Sequence, residues 1–200
     1  KPYVKTNKND RNDSEGICEA VTRPSMHFVA IKSIEQQDIQ GLHRIRQRLV
    51  EERTALVNQI RGLLAEYGLV LPQGIGFVRK NLLEIIEDKN DALTALSKEI
   101  LYELYEELKE MDQKVKTFDA RLNHICQQSE VCQRLIKVEG VGPLTATALV
   151  AGVGDVSVFK NGRQMAAWLG LVPRQKSSGN KQVLLGISRE EIGVWGAVER

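Results

Sequence analysis

Aromatic residues are scarce in this sequence: they make up 5% of its 200 residues, against 27% for charged side chains. So few rings argue against a surface built of base-stacking platforms. Cysteine is scarce too, and the three present (Cys18, Cys126 and Cys132) are odd in number and lack metal-ligand spacing. A disulfide framework is therefore not expected, and a reducing cytoplasm is the simplest setting. The longest apolar run is too short and too polar to span a bilayer, so no membrane partner is expected.

An excess of charge of one sign is also missing, because 28 basic side chains nearly cancel 26 acidic ones. The charges are nevertheless unevenly placed. Residues 84–130 hold 12 acidic and 6 basic side chains, whereas residues 156–189 hold six basic and no acidic ones. Residues 1–13 also lean basic. This asymmetry predicts functional ends joined by a solvated middle.

The middle of the chain predicts two long helices. Apolar residues recur at steps of three, four or seven over residues 42–63, and Gly68 and Pro72 close this helix before a loop at 72–76. Residues 93–125 have the heptad spacing of an extended amphipathic or coiled-coil helix. A plain antiparallel hairpin and self-association into a dimer or tetramer both remain open. The apolar series of the second helix is Leu93, Leu96, Ile100, Leu104, Leu108, Met111, Val115, Phe118, Leu122 and Ile125.

The remaining third of the chain predicts shorter elements. Helices are expected at residues 131–137, 144–151 and 161–169, and Trp168 is interpreted as a core residue rather than a stacking platform. Residues 170–187 are rich in glycine, serine and basic side chains, which predicts a loop with a short strand at 182–185. The fold class is therefore mainly α.

A glycine-containing turn at residues 137–146 is the first candidate for binding. Glycines allow a positive φ, and Pro143 suits the first position of a helix. Free N–H groups at such a turn and helix start can hold a phosphate oxygen, as in the helix-hairpin-helix modules that this segment resembles. A tight interhelical turn without a ligand is the alternative. The candidate DNA contacts here are Lys137, Gly140, Gly142 and Thr145.

Two aspartates near the beginning of the chain are candidates for metal binding. Asp10 and Asp13 are three residues apart, so on a helix they share one face, and a divalent cation between them would relieve their repulsion. Aspartates at a helix N-terminus are equally favoured by capping and by the helix dipole. Two carboxylates are too few for a two-metal site.

The third candidate is a serine pair in the basic segment. Ser177 and Ser178 are flanked by Arg174, Lys176 and Lys181, which could neutralise a phosphate and are candidate DNA contacts. A serine that attacks phosphorus needs this electrostatic support. Taken alone, such a segment is usually only a loop. All histidines are remote in sequence and are interpreted as structural or surface residues: His27, His43 and His124.

Together, these segments resemble the DEDD-type serine transposases of bacterial insertion sequences, a group that includes the Piv-like DNA invertases. The matching text is Asn-Asp-Arg-Asn-Asp-Ser-Glu at 9–15, the Arg-rich run at 44–64 and Glu-Gly-Val-Gly-Pro-Leu-Thr-Ala at 139–146. It continues with Phe-Lys-Asn-Gly-Arg-Gln at 159–164 and with residues 167–179.

The resemblance implies three parts of a larger enzyme. Residues 1–34 would end a RuvC-like domain whose acidic set includes Asp10 and Asp13, residues 35–128 would form a helical coiled-coil region, and residues 129–200 a C-terminal transposase domain. Ser178 would be the nucleophile, with Ser177 as the fallback. The implied cofactor is Mg²⁺ or another divalent metal. The implied partners are DNA, a guide RNA in some members, and further copies of the chain through the coiled coil.

Two departures from the family pattern affect the expected activity. The first two acidic residues and most of the RuvC-like sheet would precede residue 1, and residues 189–200 fit no family pattern. We therefore expect this chain alone to be unable to transpose DNA. The competing interpretation is a non-catalytic, oligomeric module that binds DNA or RNA, and a purely structural helical scaffold is the third.

Overall fold

The structure, a computed structural model, describes residues 10–24, 31–88, 92–171, 175–178 and 181–184. These residues are mainly helical, as predicted, and form seven α-helices, one short 3-10 helix and one pair of strands. The chain divides between Ile31 and Lys32 into two units. Helix α1 (Asp10–Val21) belongs to the first unit and the remaining elements to the second.

Helix α2 (Ile34–Glu66) is the predicted first long helix, and hydrogen bonds define both of its ends. At its beginning, the Ser33 side chain accepts from Gln36 N and the Gln36 side chain accepts from Ser33 N, which is a capping box. At its end, Gly68 has a φ of 77° and Leu69 N donates to Leu64 O at 3.0 Å. This is a Schellman ending, and it confirms that the helix closes at Gly68.

Helix α4 (Ala95–Gln128) is the predicted second long helix. Four of its buried apolar positions recur every seven residues, at Leu101, Leu108, Val115 and Leu122. The prediction was wrong in the first turns, because Leu96 and Ile100 are exposed. The buried positions in these turns are Leu101 and Ser97. The Ser97 hydroxyl lies 2.5 Å from the Tyr67 hydroxyl. A pattern of apolar residues does not include a serine, so this buried position was not predicted.

Helices α2 and α4 pack against each other and are called the helical arm below. Arg46 pairs with Asp119 and Arg53 with Asp112, so residues later in α2 meet residues earlier in α4. The helices of the arm are therefore antiparallel, as the hairpin interpretation predicted. A coiled-coil supercoil stays a prediction.

Helix α3 (Ile75–Glu87) was not predicted: residues 72–76 were expected to form a loop, and no element was expected between residues 77 and 92. Val78 and Leu82 of α3 are completely buried and complete a core shared with α2 and α4. In addition, Arg79 donates from Nε to Asp112 Oδ2 at 2.6 Å and from its terminal nitrogen to Oδ1 of the same carboxylate. Helix α3 thus packs on one end of the helical arm.

The last part of the second unit contains short elements. Helices α5 (Glu130–Leu135), α6 (Pro143–Val153) and α7 (Gly162–Trp168) agree with the predicted helices, and a 3-10 helix spans Val156–Val158. Strands β1 (Gln175–Ser178) and β2 (Lys181–Leu184) form an antiparallel pair. The strand predicted at 182–185 is thus present, with Lys181 as an added residue at its start, and β1 was not predicted. In the described part of the chain, no helix combines the length and the apolarity that crossing a membrane requires.

Candidate functional site

Asp10 and Asp13 lie in the first turn of α1, and both are exposed. Residues three apart lie on one face of a helix, so the two carboxylates share that face. The turn is supported by the Ser14 hydroxyl, which donates to Asp10 O at 2.7 Å. In the described residues of the chain, no group of three or more potential metal ligands occurs. A favourable interaction with the helix dipole and a role in metal binding are both compatible with this arrangement.

The turn between α5 and α6 has the backbone geometry that its glycines predicted. Gly140 has a φ of 84°, and Val141 N donates to Val138 O at 3.0 Å, which closes the turn. Gly142 is the N-cap of α6 without any side-chain cap, and Pro143 is the first helical residue.

The backbone N–H groups at the start of α6 lie ahead of its hydrogen-bond ladder, which opens with Ala146 N donating to Gly142 O at 2.9 Å. Among the candidate contacts, Lys137, Gly140 and Gly142 are exposed and Thr145 is half-buried. The turn therefore presents backbone amides, Lys137 and the carboxylate of Glu139 on the surface. The amides and the lysine are groups that bind an oxyanion such as phosphate.

The other end of α6 is held by polar side chains of α2, a contact that the sequence did not predict. Gln40 Nε2 donates to Ala151 O at 2.9 Å, and Gln36 Nε2 donates to Val150 O at 3.4 Å. One turn further along α2, His43 Nε2 lies 3.0 Å from the hydroxyl of buried Thr147. Spacings of four and three place these α2 side chains on one face, so the turn before α6 is carried on the helical arm.

His43 is held in its neutral form in this contact. Burial lowers its pKa from the usual 6.5 to about 4, and the positive charge of Arg46 acts in the same direction. The Thr147 hydroxyl also reaches Pro143 O at 2.8 Å. Because the Thr147 hydroxyl donates its proton to the Pro143 carbonyl, the Thr147 oxygen accepts a hydrogen bond from His43 Nε2. The proton of the neutral His43 ring therefore lies on Nε2.

The serine pair lies on a strand, which corrects the predicted loop. Ser177 pairs with Gln182 and Ser178 with Lys181 across β1 and β2. A strand requires a partner for its backbone hydrogen bonds, and residues 175–178 are that partner for the predicted strand. The Gly-Asn dipeptide between the two segments was the signal that predicts such a pairing. Lys176 lies in β1, while Arg174 lies outside the described residues.

Trp168 is not the core residue that the sequence predicted, since 43% of its surface is exposed. Its ring meets that of Phe159 edge to face, with centroids 5.7 Å apart. The exposed side chains of Lys160 and Arg163 lie close to these rings in sequence. The sequence contained no signal for this exposure, because an apolar residue at the end of a helix is buried in most folds.

The candidate residues are thus divided between the two units of the chain. Asp10 and Asp13 belong to the first unit, and the α5–α6 turn and the serine strand belong to the second. Within the second unit, pairing of β1 with β2 brings Ser178 and Lys181 to opposite positions.

Comparison with known proteins agrees with the sequence motifs. A model described as "Transposase IS116/IS110/IS902 family" matches residues 132–191, and the DEDD model of IS110 elements, described as "Transposase", matches residues 1–69. Both describe one class of protein, the transposases. The chain belongs to the IS116/IS110/IS902 transposase family. No solved structure matches it.

Several bacterial proteins are similar to the chain over most of its length. The transposase for insertion sequence element IS1111A of Coxiella burnetii is 50% identical over 94% of this chain and 52% of the relative. A probable family 20 transposase of Pseudomonas aeruginosa is 46% identical over 94% of this chain and 56% of the relative. The transposase for insertion sequence element IS1328 of Yersinia enterocolitica is 38% identical over the same shares. The chain therefore spans about half the length of these curated relatives.

Proposed function

We propose that this chain is the DNA-binding and strand-joining part of an insertion-sequence transposase, with Ser178 as its nucleophile. The observation that carries this proposal is the register of the strand pair. It sets Ser178 opposite Lys181 within a segment, residues 156–189, that has six basic and no acidic side chains. An anionic phosphodiester is favoured by such surroundings.

The chemistry proposed for Ser178 is a reversible exchange of ester bonds. The serine hydroxyl loses its proton as its oxygen forms a bond to phosphorus. One phosphorus–oxygen bond of the DNA strand breaks, and the departing sugar oxygen takes up a proton to become a hydroxyl, so that protons balance overall. Attack on the serine–phosphate ester by the hydroxyl of another strand end restores a phosphodiester and releases the serine. Each bond that breaks is replaced by one of the same kind, so no energy source is required.

Asp10 and Asp13 are proposed as ligands of a divalent metal. Mg²⁺ is commonly held by one or two carboxylates together with waters and substrate phosphates, and this exposed pair on one face of α1 fits that pattern. A bound divalent ion neutralises charge that develops on the phosphate. In the family that the sequence resembles, the acidic set has four members, of which these would be two.

The α5–α6 turn is proposed as a contact to the DNA backbone. It offers Lys137 and the backbone of Gly140 and Gly142 at the surface, ahead of an uncapped helix start. Contacts of this kind position a strand without reading its sequence. Lys176, Lys181 and Arg174 would add phosphate contacts from the basic segment.

Two further partners belong to the proposal by resemblance. Self-association would use the helical arm, and it is supported by Leu96 and Ile100, which stay exposed four residues apart on α4. A guide RNA transcribed from the element would select the DNA to be joined.

Covalent capture of DNA tests the nucleophile. In a form of the protein with the complete acidic set, Ser178→Ala should abolish the covalent serine–DNA adduct, while duplex binding changes by less than about twofold. Consecutive strand positions lie on opposite faces, so Ser177→Ala is the matched control and should retain the adduct.

The opposite result for the two serines would move the nucleophile to Ser177. An adduct that survives both substitutions would contradict strand joining by this pair and point to another nucleophile. Absence of an adduct from the protein that keeps both serines would leave the non-catalytic binding module. The 200-residue chain alone should bind duplex DNA with a steep salt dependence and form no adduct. Absence of DNA binding would contradict the proposal altogether.

A further inference from the structure

Helix α6 begins at the turn proposed as a contact to the DNA backbone, and its first turn carries no side-chain cap. Helices α2 and α7, in contrast, begin at Ser33 and Asn161, whose side chains accept from backbone N–H groups of the first turn. Within the turn before α6, the space beside Gly140 is open. The direction in which α6 starts is therefore set mainly by its contacts with other helices.

A chain of two hydrogen bonds links the first turn of α6 to α2. The Thr147 hydroxyl, which is completely buried, donates to Pro143 O at 2.8 Å, and its oxygen accepts from His43 Nε2 at 3.0 Å. Leu144 O lies 3.0 Å from the same hydroxyl. The link therefore ends at the carbonyl groups of the residues that directly follow Gly142, the N-cap.

We propose that His43 is a positioning residue for DNA binding, because through Thr147 it holds the start of α6 in the orientation that presents Lys137 and the turn amides to a phosphate. This inference rests on the proposed function and deepens it, since it gives helix α2 of the helical arm a part in DNA binding. In this role, His43 acts through Thr147 and does not touch DNA.

The other α2 side chains that hold α6 contact its far end. Gln40 and Gln36 donate to Ala151 O and Val150 O, near the end of the helix. Later residues of α6 meet earlier residues of α2, so the two helices run in opposite directions. Of these three α2 side chains, that of His43 lies nearest the turn. Loss of a glutamine contact should therefore loosen the far end of α6 and leave its start in place.

The link requires a hydrogen-bond donor at the position of His43 Nε2. Burial and the positive charge of Arg46 lower the pKa of His43 to about 4, so the neutral ring carries a single proton for this contact. A glutamine side chain ends in an amide N–H at a similar distance from the backbone, whereas alanine has no donor. His43→Gln should therefore keep the link, and His43→Ala should remove it.

Loss of the link should weaken DNA binding without removing a phosphate contact. When α6 starts in several orientations and only a fraction of them binds, the apparent Kd rises by the inverse of that fraction. One hydrogen bond between neutral groups corresponds to about 3- to 10-fold in an equilibrium constant, which is the weakening expected for His43→Ala. The bound state keeps its phosphate contacts, so the dependence of affinity on salt concentration should stay that of the parent.

Fluorescence anisotropy of a labelled DNA duplex, measured with the whole chain over a range of salt concentrations, tests the proposal. His43→Ala and Thr147→Val should each weaken binding by about 3- to 10-fold, and the double variant should lose no more, because both changes remove one link. His43→Gln should bind within about twofold of the parent. Gln40→Ala is the matched control from the same face of α2 and should also stay within about twofold. Circular dichroism verifies that all variants are folded.

Lys137→Gln calibrates the salt dependence, because the loss of a direct phosphate contact should lower the slope of log affinity against log salt by about 1. A lowered slope for His43→Ala would assign His43 to a direct contact and overturn the positioning role. Equal weakening by His43→Gln or by Gln40→Ala would also overturn it, since the effect would then follow general loosening of α6.

The remaining outcomes separate this inference from the function on which it rests. Duplex binding by His43→Ala that equals binding by the parent would overturn the positioning role and leave the proposed function standing. Additive losses in the double variant would show that His43 and Thr147 act separately, which also overturns it. Failure of the parent chain to bind duplex DNA would overturn both proposals.

Discussion

Helix α2 makes two contacts of different chemistry, one with α4 and one with α6. In the helical arm, apolar side chains are buried and ion pairs recur one heptad apart on both helices, as Arg46–Asp119 and Arg53–Asp112. Towards α6, glutamine side chains of α2 donate instead to main-chain carbonyls near the end of the helix. The first contact depends on side chains of both helices, whereas the second joins α2 side chains mainly to the backbone of α6, with the Thr147 hydroxyl as the side-chain partner of His43.

The electrostatic states of the two contacts also differ. In the arm, burial raises the pKa of Asp112, but Arg79 and Arg53 outweigh this effect, so the pKa lies below its usual value and the carboxylate stays charged. At α6, burial and Arg46 keep His43 neutral. The arm is thus stabilised by a charged group that has partners, and the α6 contact by a titratable group that carries no charge. Acid should therefore affect the α6 contact at a higher pH than the arm.

The largest effect is expected in the core of the helical arm. Leu108 is 1% exposed in the cluster shared by α2, α3 and α4, and Leu108→Ala should lower the free energy of unfolding by about 2–5 kcal/mol. Urea denaturation followed by circular dichroism measures this. Leu96→Ala is the matched control, because Leu96 is exposed on the same helix, and its effect should stay within about 0.5 kcal/mol. Equal losses for both leucines would contradict the packing of α4.

The next largest effect is a pH dependence of stability that should arise from the contact between α2 and α6 and not from the helical arm. His43 has a folded pKa of about 4 against an ordinary 6.5, so the unfolded chain takes up a proton first as the pH falls. Its stabilisation is complete above about pH 6.5 and is lost as the pH falls towards about 4.

Thermal unfolding at about pH 7.5 and about pH 5 therefore tests the contact between α2 and α6. The melting temperature of the wild type should fall over this interval, and that of His43→Gln should fall less. His124→Gln removes an exposed histidine of α4 and should keep the wild-type pH profile. Identical profiles for all three proteins would show that His43 does not stabilise the contact.

The smallest effect compares one glycine from each region. Gly140, in the turn before α6, has a φ of 84°, so Gly140→Ala should destabilise the protein by about 1–2 kcal/mol even though the space around it is free. Gly62 lies inside α2 with equally free surroundings. There, Gly62→Ala should stabilise by about 0.5–1 kcal/mol, because alanine is the better helix former. Denaturation midpoints with the same sign would contradict one of these backbone conformations.

The helical arm could be predicted because its period is repeated over many turns. Leu108, Val115 and Leu122 were placed correctly, and only the first turns of α4 were misplaced, where Ser97 occupies a buried position. Helix α3 was missed because no side-chain cap marks its start: its N-cap is Gly74, within the segment that proline and glycine predicted to be a loop. Strand β1 was missed because serine and lysine are not typical strand residues, although the Gly-Asn dipeptide was a usable signal.

The candidate site was predictable to a similar, uneven degree. The positive φ of Gly140 and the helix start at Pro143 follow from residue chemistry alone, and the structure has both. The hydrogen bonds from Gln36 and Gln40 of α2 to α6 carbonyls were not predictable, because any backbone carbonyl can accept from a glutamine and no sequence pattern identifies which one does. The exposure of Trp168 likewise depends on which elements pack over it.

The sequence by itself determined the helices other than α3, the glycine turn before α6, the separation of acidic and basic segments and the transposase family. These features follow from spacing, backbone preference and residue identity along the chain. Only the tertiary structure decided which carboxylate meets which arginine, that His43 stays uncharged, that Ser178 lies opposite Lys181 and that an indole is left at the surface. Pairing and burial are set by which distant segments meet.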